Sequence, residues 1–283
     1  MKNPWVRLAY ITVCSVLVLT IIVFVLKIYS ESMQHGAYNH PLVQQPYHLV
    51  ISATTPDLGP IGQLEFYQKA HSKWPGAFLE VPIQISRDGT AVVYPFDDIK
   101  ESGWGDGDVF EHTFGKLQKL SNGKILTLNE LLGAMPDSFL FLKVMDQDPA
   151  MFQPAVEVLK NNEKQDNVIV YSQMMDSFNY VFKDHPHWVF AGGTLHLQQL
   201  HILDAIFLPG LAKIKPDFFV VNTKNIKDQL LTKSAMNELN RRFKRILFDG
   251  SIEEYKALPD WVKSEIKGFV TAQPDYFLEV LQN

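Results

Sequence analysis

Cysteine is almost absent from this chain. Its 283 residues contain one thiol, Cys14, so no disulfide can form within a single chain. Cys14 lies in an uncharged stretch near the N terminus, and everything after that stretch is free of thiols. Such a sequence suits an oxidising compartment without requiring disulfides. Val13, directly before the cysteine, is not typical of a lipid-attachment site.

The sequence also has no basic patch interleaved with aromatic residues. Lysine and arginine number 26 against 31 aspartates and glutamates, which gives a formal net charge of −5. A chain of this charge repels a phosphate backbone, so we expect no nucleic-acid partner. The length and a hydrophobic content of 46% allow one large core of roughly 230 residues beside an N-terminal appendage.

Charge is missing from residues 8–26, nineteen consecutive positions that are long enough to cross a bilayer. Lys2 and Arg7 precede this run, while Lys27 and Glu31 nearly cancel after it. Basic residues stay on the cytoplasmic side, so the pattern predicts a cytoplasmic N terminus and a periplasmic or extracellular remainder.

A cleaved signal peptide is the alternative interpretation of this run. The run is longer than a typical signal core, however, and no small-x-small cleavage motif follows it. We therefore predict that residues 1–27 form an uncleaved membrane anchor of a single-pass protein. Residues 28–47 show neither helical nor strand periodicity and are interpreted as a linker, with the folded domain spanning residues 48–283.

Within residues 48–283, short apolar strands alternate with amphipathic helices. The predicted strands are 48–53, 78–86, 139–144, 167–172, 188–191, 217–222, 245–249 and 268–271. The predicted helices are 64–72, 128–135, 154–161, 176–183, 197–208, 226–243, 252–266 and 276–281. Eight strands, each followed by a helix, predict a closed α/β fold, the (β/α)8 TIM barrel. An open doubly wound sheet is the alternative, but no glycine-rich phosphate fingerprint follows the first strand.

The stretch 76–95, GAFLEVPIQISRDGTAVVYP, contains the most informative residue of the chain. It predicts a strand, a tight turn at Asp88-Gly89 and a second strand from 91 to 94. Glu80 interrupts the apolar strand, where a charge is costly unless it is paired. Lys143 ends the next barrel strand and is its candidate partner. Either the two form a structural ion pair, or they line a pocket in which Lys143 anchors a phosphate.

This stretch resembles the second-strand signature of glycerophosphodiester phosphodiesterases, G-x3-E-x-D-V-x2-T-x-D-G-x2-V-V, with Gly76, Glu80, Asp88 and Gly89 in register. Residues 125–132, ILTLNELL, are similar to the family's I-P-T-L-x-E-L-L. The strand at 140–143 and residues 268–275, GFVTAQPD, are similar to its E-x-K and G-I-I-T-D-x-P-D motifs. The resemblance covers residues 48–283 and implies a TIM barrel that cleaves phosphodiesters with a calcium or magnesium ion and two histidines.

Most of the polar positions in those motifs are occupied by other residue types. No His or Arg occurs between Leu49 and Ala70, so the first-strand His-Arg-Gly is missing. The positions that carry ligand or catalytic groups in the family pattern are Ile61-Gly62-Gln63, Pro82, Pro95-Phe96, Phe141 and Ala272. Of the expected set only Glu80 and Lys143 remain. One carboxylate binds a divalent cation poorly, so we expect no metal cofactor.

Two functional classes remain open. The first is a catalytically inactive, membrane-anchored barrel that binds a polar small molecule or a protein partner. The second is an active phosphoric diester hydrolase with a non-standard site, using calcium or magnesium. Loop aspartates are the candidate residues for such a site, although they commonly serve as caps and turns. These candidates are Asp97, Asp98, Asp146, Asp148 and Asp249.

The charge asymmetry around residues 8–26 predicts the topology directly. Protease added to intact cells, after the outer barrier is opened, should digest residues 48–283, because this part lies on the far side of the membrane. Digestion of a cytoplasmic marker in the same sample would show that the membrane had broken. Full protection of the folded domain would contradict the predicted orientation.

Overall fold

Eight parallel strands close into a barrel in the computed structural model, which describes residues 4–33, 38–145, 152–173 and 175–282. The strands are β1 (His48–Ile51), β2 (Phe78–Ile85), β3 (Ala91–Val93), β4 (Leu126–Thr127), β5 (Phe139–Val144), β6 (Val168–Ser172), β7 (Val189–Gly192), β8 (Phe218–Val221), β9 (Arg245–Asp249) and β10 (Ile266–Thr271). The barrel order is β1-β10-β9-β8-β7-β6-β5-β2, and β2 pairs with β1 to close it. The predicted TIM barrel is confirmed.

Two helices precede β1, and the others connect or follow the strands. The helices are α1 (Pro4–Ser32), α2 (Pro41–Gln44), α3 (Leu64–Lys73), α4 (Phe114–Leu120), α5 (Leu128–Ala134), α6 (Gln153–Asn161), α7 (Met175–Asp184), α8 (Thr194–Ala205), α9 (Thr223–Lys227), α10 (Lys233–Arg241), α11 (Ile252–Lys256), α12 (Asp260–Lys263) and α13 (Pro274–Gln282). Short 3-10 helices cover Ile99–Ser102, Val109–Glu111, Gln165–Asn167 and Pro209–Leu211. β3 and β4 extend β2 as an antiparallel excursion beyond the barrel.

Three predicted helices differ from the observed ones. The segment 226–243 is two helices, because the backbone reverses at Gln229, which has a φ of 56°, and Thr232 caps a new helix at the backbone N–H of Ala235. The segment 252–266 is likewise interrupted before Pro259, where α12 begins. α8 starts three residues earlier than predicted, since its apolar residues occur on both faces and leave no clear helical period at its start.

Successive side chains of each strand point alternately to the outside and to the inside of the barrel, which gives an outer core beneath the helices and a separate barrel interior. On β2, Leu79, Val81 and Ile83 pack outward against the helices, while Phe78 and Glu80 point inward. The interior is filled mainly by apolar side chains from all eight strands, including Val50, Phe141 and Leu247. The ion pair of Glu80 and Lys143 lies beyond this apolar filling, at the mouth of the barrel.

Residues 38–47 were interpreted as part of a linker, but in the structure they form the floor of the barrel. Leu42 and Val43 of α2 are buried and belong to the interior cluster that includes Phe78 and Phe218. The side chain of His40 caps α2 by accepting a hydrogen bond from the Leu42 backbone N–H at 3.2 Å. A four-residue helix is too short to show periodicity, so no residue pattern predicts this floor, which we call the plug (residues 38–47).

α1 is a 29-residue helix that is long and apolar enough to span a membrane. Its most apolar stretch is wholly exposed. α1 extends the predicted anchor by several residues, and its last turn contacts the barrel. Arg241 donates hydrogen bonds to the backbone oxygens of Ser30, at 3.1 Å, and Met33, at 2.7 Å. Ser30 also fits against Gly210 so closely that a Cβ there would lie 2.5 Å from its hydroxyl oxygen.

The plug generates a stability prediction. Leu42→Ala should lower the free energy of unfolding by about 2–5 kcal/mol, because it leaves a cavity at the floor of the interior. Gln44→Ala, on the exposed side of the same helix, should change it by less than about 0.5 kcal/mol. Denaturant unfolding of the full-length protein in detergent micelles measures both. Equal, small losses would show that residues 38–47 do not belong to the folded unit.

Candidate functional site

The side chain of Glu80 lies at the barrel mouth and is 7% exposed. One carboxylate oxygen, Oε2, accepts a hydrogen bond from the Ser52 hydroxyl at 2.9 Å and another from the Ala53 backbone N–H at 2.9 Å. Both donors come from the end of β1, the strand beside β2. The β-strand geometry thus presents two donors to a carboxylate that would otherwise be costly to bury.

The other oxygen of Glu80, Oε1, lies 3.1 Å from the ammonium nitrogen of Lys143. Pro82, two positions after Glu80 and on the same side of β2, pairs in register with Lys143 of β5, so the lysine reaches back diagonally toward the carboxylate. The lysine side chain remains 34% exposed. Because an ammonium has three donors, Lys143 can hold Glu80 and still contact a ligand in the mouth. The predicted pairing of these two residues is present.

Two further polar groups stand at the same end of neighbouring strands. Asp249 ends β9. Partial removal from water at the mouth and the negative charge of Glu80 raise the pKa of Asp249 to about 6, whereas the positive charge of Lys143 lowers it. The Asp249 side chain is nevertheless in contact with solvent. Tyr171, inward-facing on β6, has a pKa raised by burial and then by the nearby carboxylates. The mouth thus contains an ammonium, a neutral phenol and a carboxyl group that titrates near pH 6.

The histidines of the barrel do not join this cluster. His48 begins β1 at the opposite end, with Nε2 2.5 Å from the Leu42 carbonyl oxygen, and burial lowers its pKa to about 4. His196 lies on α8, outside the barrel wall and edge-on to Phe219. Burial lowers its pKa to about 4 as well, so both imidazoles are neutral at pH 7. Neither can supply acid–base chemistry at the mouth.

The donor set of the mouth does not fit a divalent cation. Calcium and magnesium require several oxygen ligands at short range. Both oxygens of Glu80 are already engaged by protein donors, and one of these is a cation. Over the ranges that the structure describes, no group of three His, Cys, Asp or Glu residues is arranged to hold a metal. We therefore derive no chemistry through a metal ion.

The remaining loop aspartates take different positions. Asp98 caps a 3-10 helix by accepting a hydrogen bond from the Lys100 backbone N–H at 2.7 Å, and Asp97 beside it is exposed. Asp146 and Asp148 lie outside the described residues. Of the three candidates that the structure describes, Asp249 alone is placed close enough to Glu80 and Lys143 for their charges to interact.

Sequence reasoning found the two charged residues but missed the groups that hold them. Ser52 and the Ala53 N–H were assigned only to the first strand and its end. The signal that could have found Ser52 is strand parity, because Val50 faces the interior and the position two residues later must face the same way. The backbone donor of Ala53 leaves no trace in the residue type.

The fold is a (β/α)8 TIM barrel, and solved structures of glycerophosphodiester phosphodiesterases share it. A phosphodiesterase of this class from Thermotoga maritima superposes with a TM-score of 0.64 at 20% identity, covering 83% of this chain and 98% of that one. One described as putative, from Galdieria sulphuraria, gives 0.66 at 14% identity, covering 84% and 98%. An Oleispira antarctica phosphodiesterase, in complex with its product sn-glycerol-3-phosphate, gives 0.63 at 13% identity, covering 83% and 97%.

These identities are low, so the comparisons establish the shared fold and no more. No protein-family model matches the sequence, and no curated protein does. The fold that the motif resemblance implied is confirmed. The structures align over most of this chain and nearly the whole of each compared chain, so the TIM barrel is the part that they share.

The unequal exposure of the ion pair generates a stability prediction. Lys143→Met should lower the free energy of unfolding by about 3 kcal/mol, because it leaves the buried Glu80 carboxylate without its cation. Glu80→Gln should cost about 1–3 kcal/mol, since the freed lysine reaches water but two hydrogen bonds to the side chain are weakened.

A matched control for this pair is Lys73→Met. Lys73 pairs with Asp275 at a similar distance, 3.0 Å, but both side chains are more than half exposed. We expect a loss below about 1 kcal/mol. Urea unfolding of the three variants in one detergent ranks them. A loss for Lys143→Met no larger than that for Lys73→Met would show that the mouth pair is not structural.

Proposed function

We propose that this chain is a divergent glycerophosphodiester phosphodiesterase relative that binds a phosphodiester at the barrel mouth without hydrolysing it. The shared fold supports the family assignment, and the product named for the Oleispira antarctica phosphodiesterase supports a phosphate-bearing ligand. In this chain Lys143 is the phosphate anchor. Its ammonium is charged, partly exposed and held in place by Glu80.

The observation that carries the proposal is the complete engagement of Glu80. In a metal-dependent hydrolase a carboxylate at this position would have to be available to the ion. Here its oxygens accept hydrogen bonds from β1 and pair with Lys143. Of the described histidines, neither His48 nor His196 stands at the mouth, so neither supplies the usual acid and base, each worth about 10²–10⁴-fold in rate. Lys143 can therefore bind a phosphodiester at the mouth, although the site does not support its hydrolysis.

We further propose that α1 is an uncleaved anchor that keeps the barrel at the outer surface of the cytoplasmic membrane. Its exposed apolar length suits a bilayer core, and its last turn is bound by the barrel through Arg241. A signal peptide that is removed after export has no need of such contacts. The docked last turn therefore favours an anchor that stays with the mature protein.

A second candidate function is an active phosphoric diester hydrolase with a non-standard site. Asp249 favours it, because a carboxyl group with a pKa of about 6 can donate or accept a proton near neutral pH. Such a site would use Asp249 as acid or base and Lys143 to stabilise negative charge on the phosphate. It lacks an evident nucleophile-activating partner among the described residues, which makes it the weaker candidate.

Binding of a glycerophosphodiester tests the proposal. We expect isothermal titration with sn-glycero-3-phosphocholine to show binding by the full-length protein that Lys143→Met abolishes and Lys73→Met leaves unchanged. Affinity should rise as the pH falls from about 8 to about 5, because Asp249 becomes neutral below about pH 6 and stops repelling the phosphate.

The variant Asp249→Asn isolates the titrating group. It should bind with the low-pH affinity throughout this range, since the amide carries no charge at any pH. The diester itself keeps one charge over the range, so its own ionisation does not contribute. Unchanged binding by a folded Lys143→Met variant would contradict the proposed anchor, and a pH dependence that survives Asp249→Asn would assign it to another group.

A further inference from the structure

The end of the barrel beside α1 carries a cluster of exposed apolar side chains. Phe207 is 71% exposed, Ile206 51%, Ile202 65% and Phe243 54%. Outside α1, the described residues contain only four other exposed large apolar side chains, each less than half exposed, and one of them, Leu195, continues the same outer face of α8. A contiguous exposed apolar patch marks a surface that is covered in the working state of a protein.

The two phenylalanines also have an unusual backbone. Phe207 follows α8 with a φ of 63°, and Phe243 follows α10 with a φ of 58°. Left-handed positions after helices are normally filled by glycine or asparagine, because a bulky side chain is strained there. Both sites therefore combine backbone strain with an exposed aromatic ring. The backbone conformation lets each helix end in a hydrogen-bonded turn, with the Leu208 N–H donating to the Leu203 carbonyl oxygen at 2.8 Å and the Lys244 N–H to that of Leu239 at 2.9 Å. That turn does not require an aromatic side chain at either position, whereas a function for the exposed rings explains their presence.

Basic residues surround these rings. The segments 206–217 and 238–245 contain six lysines and arginines, of which Arg242 is buried, but only two acidic residues, although the whole chain has a net charge of −5. Both acidic residues are paired, Asp217 with Lys244 at 3.3 Å and Glu238 with Arg241 and Arg242. The surface around the rings is thus positive as well as apolar. We call this surface, formed by Ile202, Ile206, Phe207, Phe243 and the surrounding basic residues, the anchor edge.

The contact with α1 fixes the height of the anchor edge relative to a bilayer. Ser30 touches Gly210, three residues after Phe207, and its backbone oxygen accepts from Arg241, two residues before Phe243. Ser30 lies four residues beyond the apolar run 8–26, or about 6 Å along the helix. The headgroup layer beyond the hydrocarbon core is itself about 5–8 Å thick. A helix that spans the membrane therefore holds the anchor edge at the level of the headgroups.

We propose that the anchor edge docks onto the surface of an anionic phospholipid bilayer. Aromatic and aliphatic side chains insert at the boundary between headgroups and acyl chains, while nearby lysines and arginines attract anionic lipids. The inference rests on the proposed anchor. It also orients the barrel, because α8 and α10 end at the floor and the mouth lies at the opposite end. The mouth therefore faces the aqueous phase, and the ligand reaches it from solution.

Fluorescence quenching in proteoliposomes tests this surface with the full-length protein. The single native cysteine, Cys14, is exposed on α1 and accepts an environment-sensitive label directly. In a Cys14→Ser background, Phe207→Cys places the label on the anchor edge. Phe110→Cys is the matched control: it is 49% exposed, and its segment packs beside the Asp88 turn at the mouth end, through Arg87 N–H to His112 oxygen at 2.9 Å.

In vesicles containing anionic lipid and lipid-attached quencher, labels on Cys14 and Phe207→Cys should both lose intensity, and the Phe110→Cys label should not. Replacing the anionic lipid by a zwitterionic one should weaken quenching at Phe207→Cys and leave Cys14 unchanged. Ile206→Cys repeats the measurement if the first variant unfolds. No quenching at Cys14 would remove the anchor itself, which separates that failure from a failure of docking.

Three outcomes would contradict the proposed docking onto an anionic bilayer while leaving the anchor intact. The first is quenching at Cys14 with none at Phe207→Cys or Ile206→Cys. The second is a Phe207→Cys label that is shielded from water without lipid quenching and cross-links to a second copy, which would assign the anchor edge to a dimer. The third is equal quenching in anionic and zwitterionic vesicles, which would contradict the anionic-lipid assignment.

Discussion

The carboxylate of Glu80 ties three adjacent strands together at the barrel mouth. It accepts hydrogen bonds from Ser52 and Ala53 at the end of β1, and it pairs with Lys143 on β5. β2 stands between these strands, at the point where the barrel closes. An unpaired charge at this depth would be costly, so the closure of the barrel and the placement of Lys143 depend on each other. The same contacts determine what the mouth can bind.

Strand periodicity made much of the fold predictable. The β5 and β9 bounds agree with the prediction, because each is an apolar strand flanked by polar residues. Glu80 and Lys143 were predictable as partners, since charges inside two neighbouring buried strands must compensate each other. The floor formed by Leu42 and Val43 was not, because burial there depends on contacts far away in sequence. Ser52 could have been placed in the interior by strand parity with Val50, but the residue type alone does not show that its hydroxyl donates to Glu80.

The two ends of the barrel differ in composition and have different proposed roles. The floor end is apolar and basic, carries strained exposed phenylalanines and contacts the last turn of α1. The mouth end carries the ammonium of Lys143 and the titrating Asp249. Because the strands are parallel, one end can be adapted to a membrane without changing the residues at the other. A change in the polar residues of the mouth is compatible with an intact barrel for the same reason, since the interior core below the mouth is apolar.

The central claim is that the mouth binds a phosphodiester without cleaving it. Phosphorus NMR of sn-glycero-3-phosphocholine incubated with the full-length protein tests it most directly, with and without added calcium or magnesium. We expect the diester resonance to persist under every condition, because within the part of the chain that the structure describes neither His48 nor His196 reaches the mouth and no metal-ligand group is present. Metal-dependent appearance of a phosphomonoester, lost in Glu80→Gln while the melting temperature holds, would contradict the account and establish a working hydrolase.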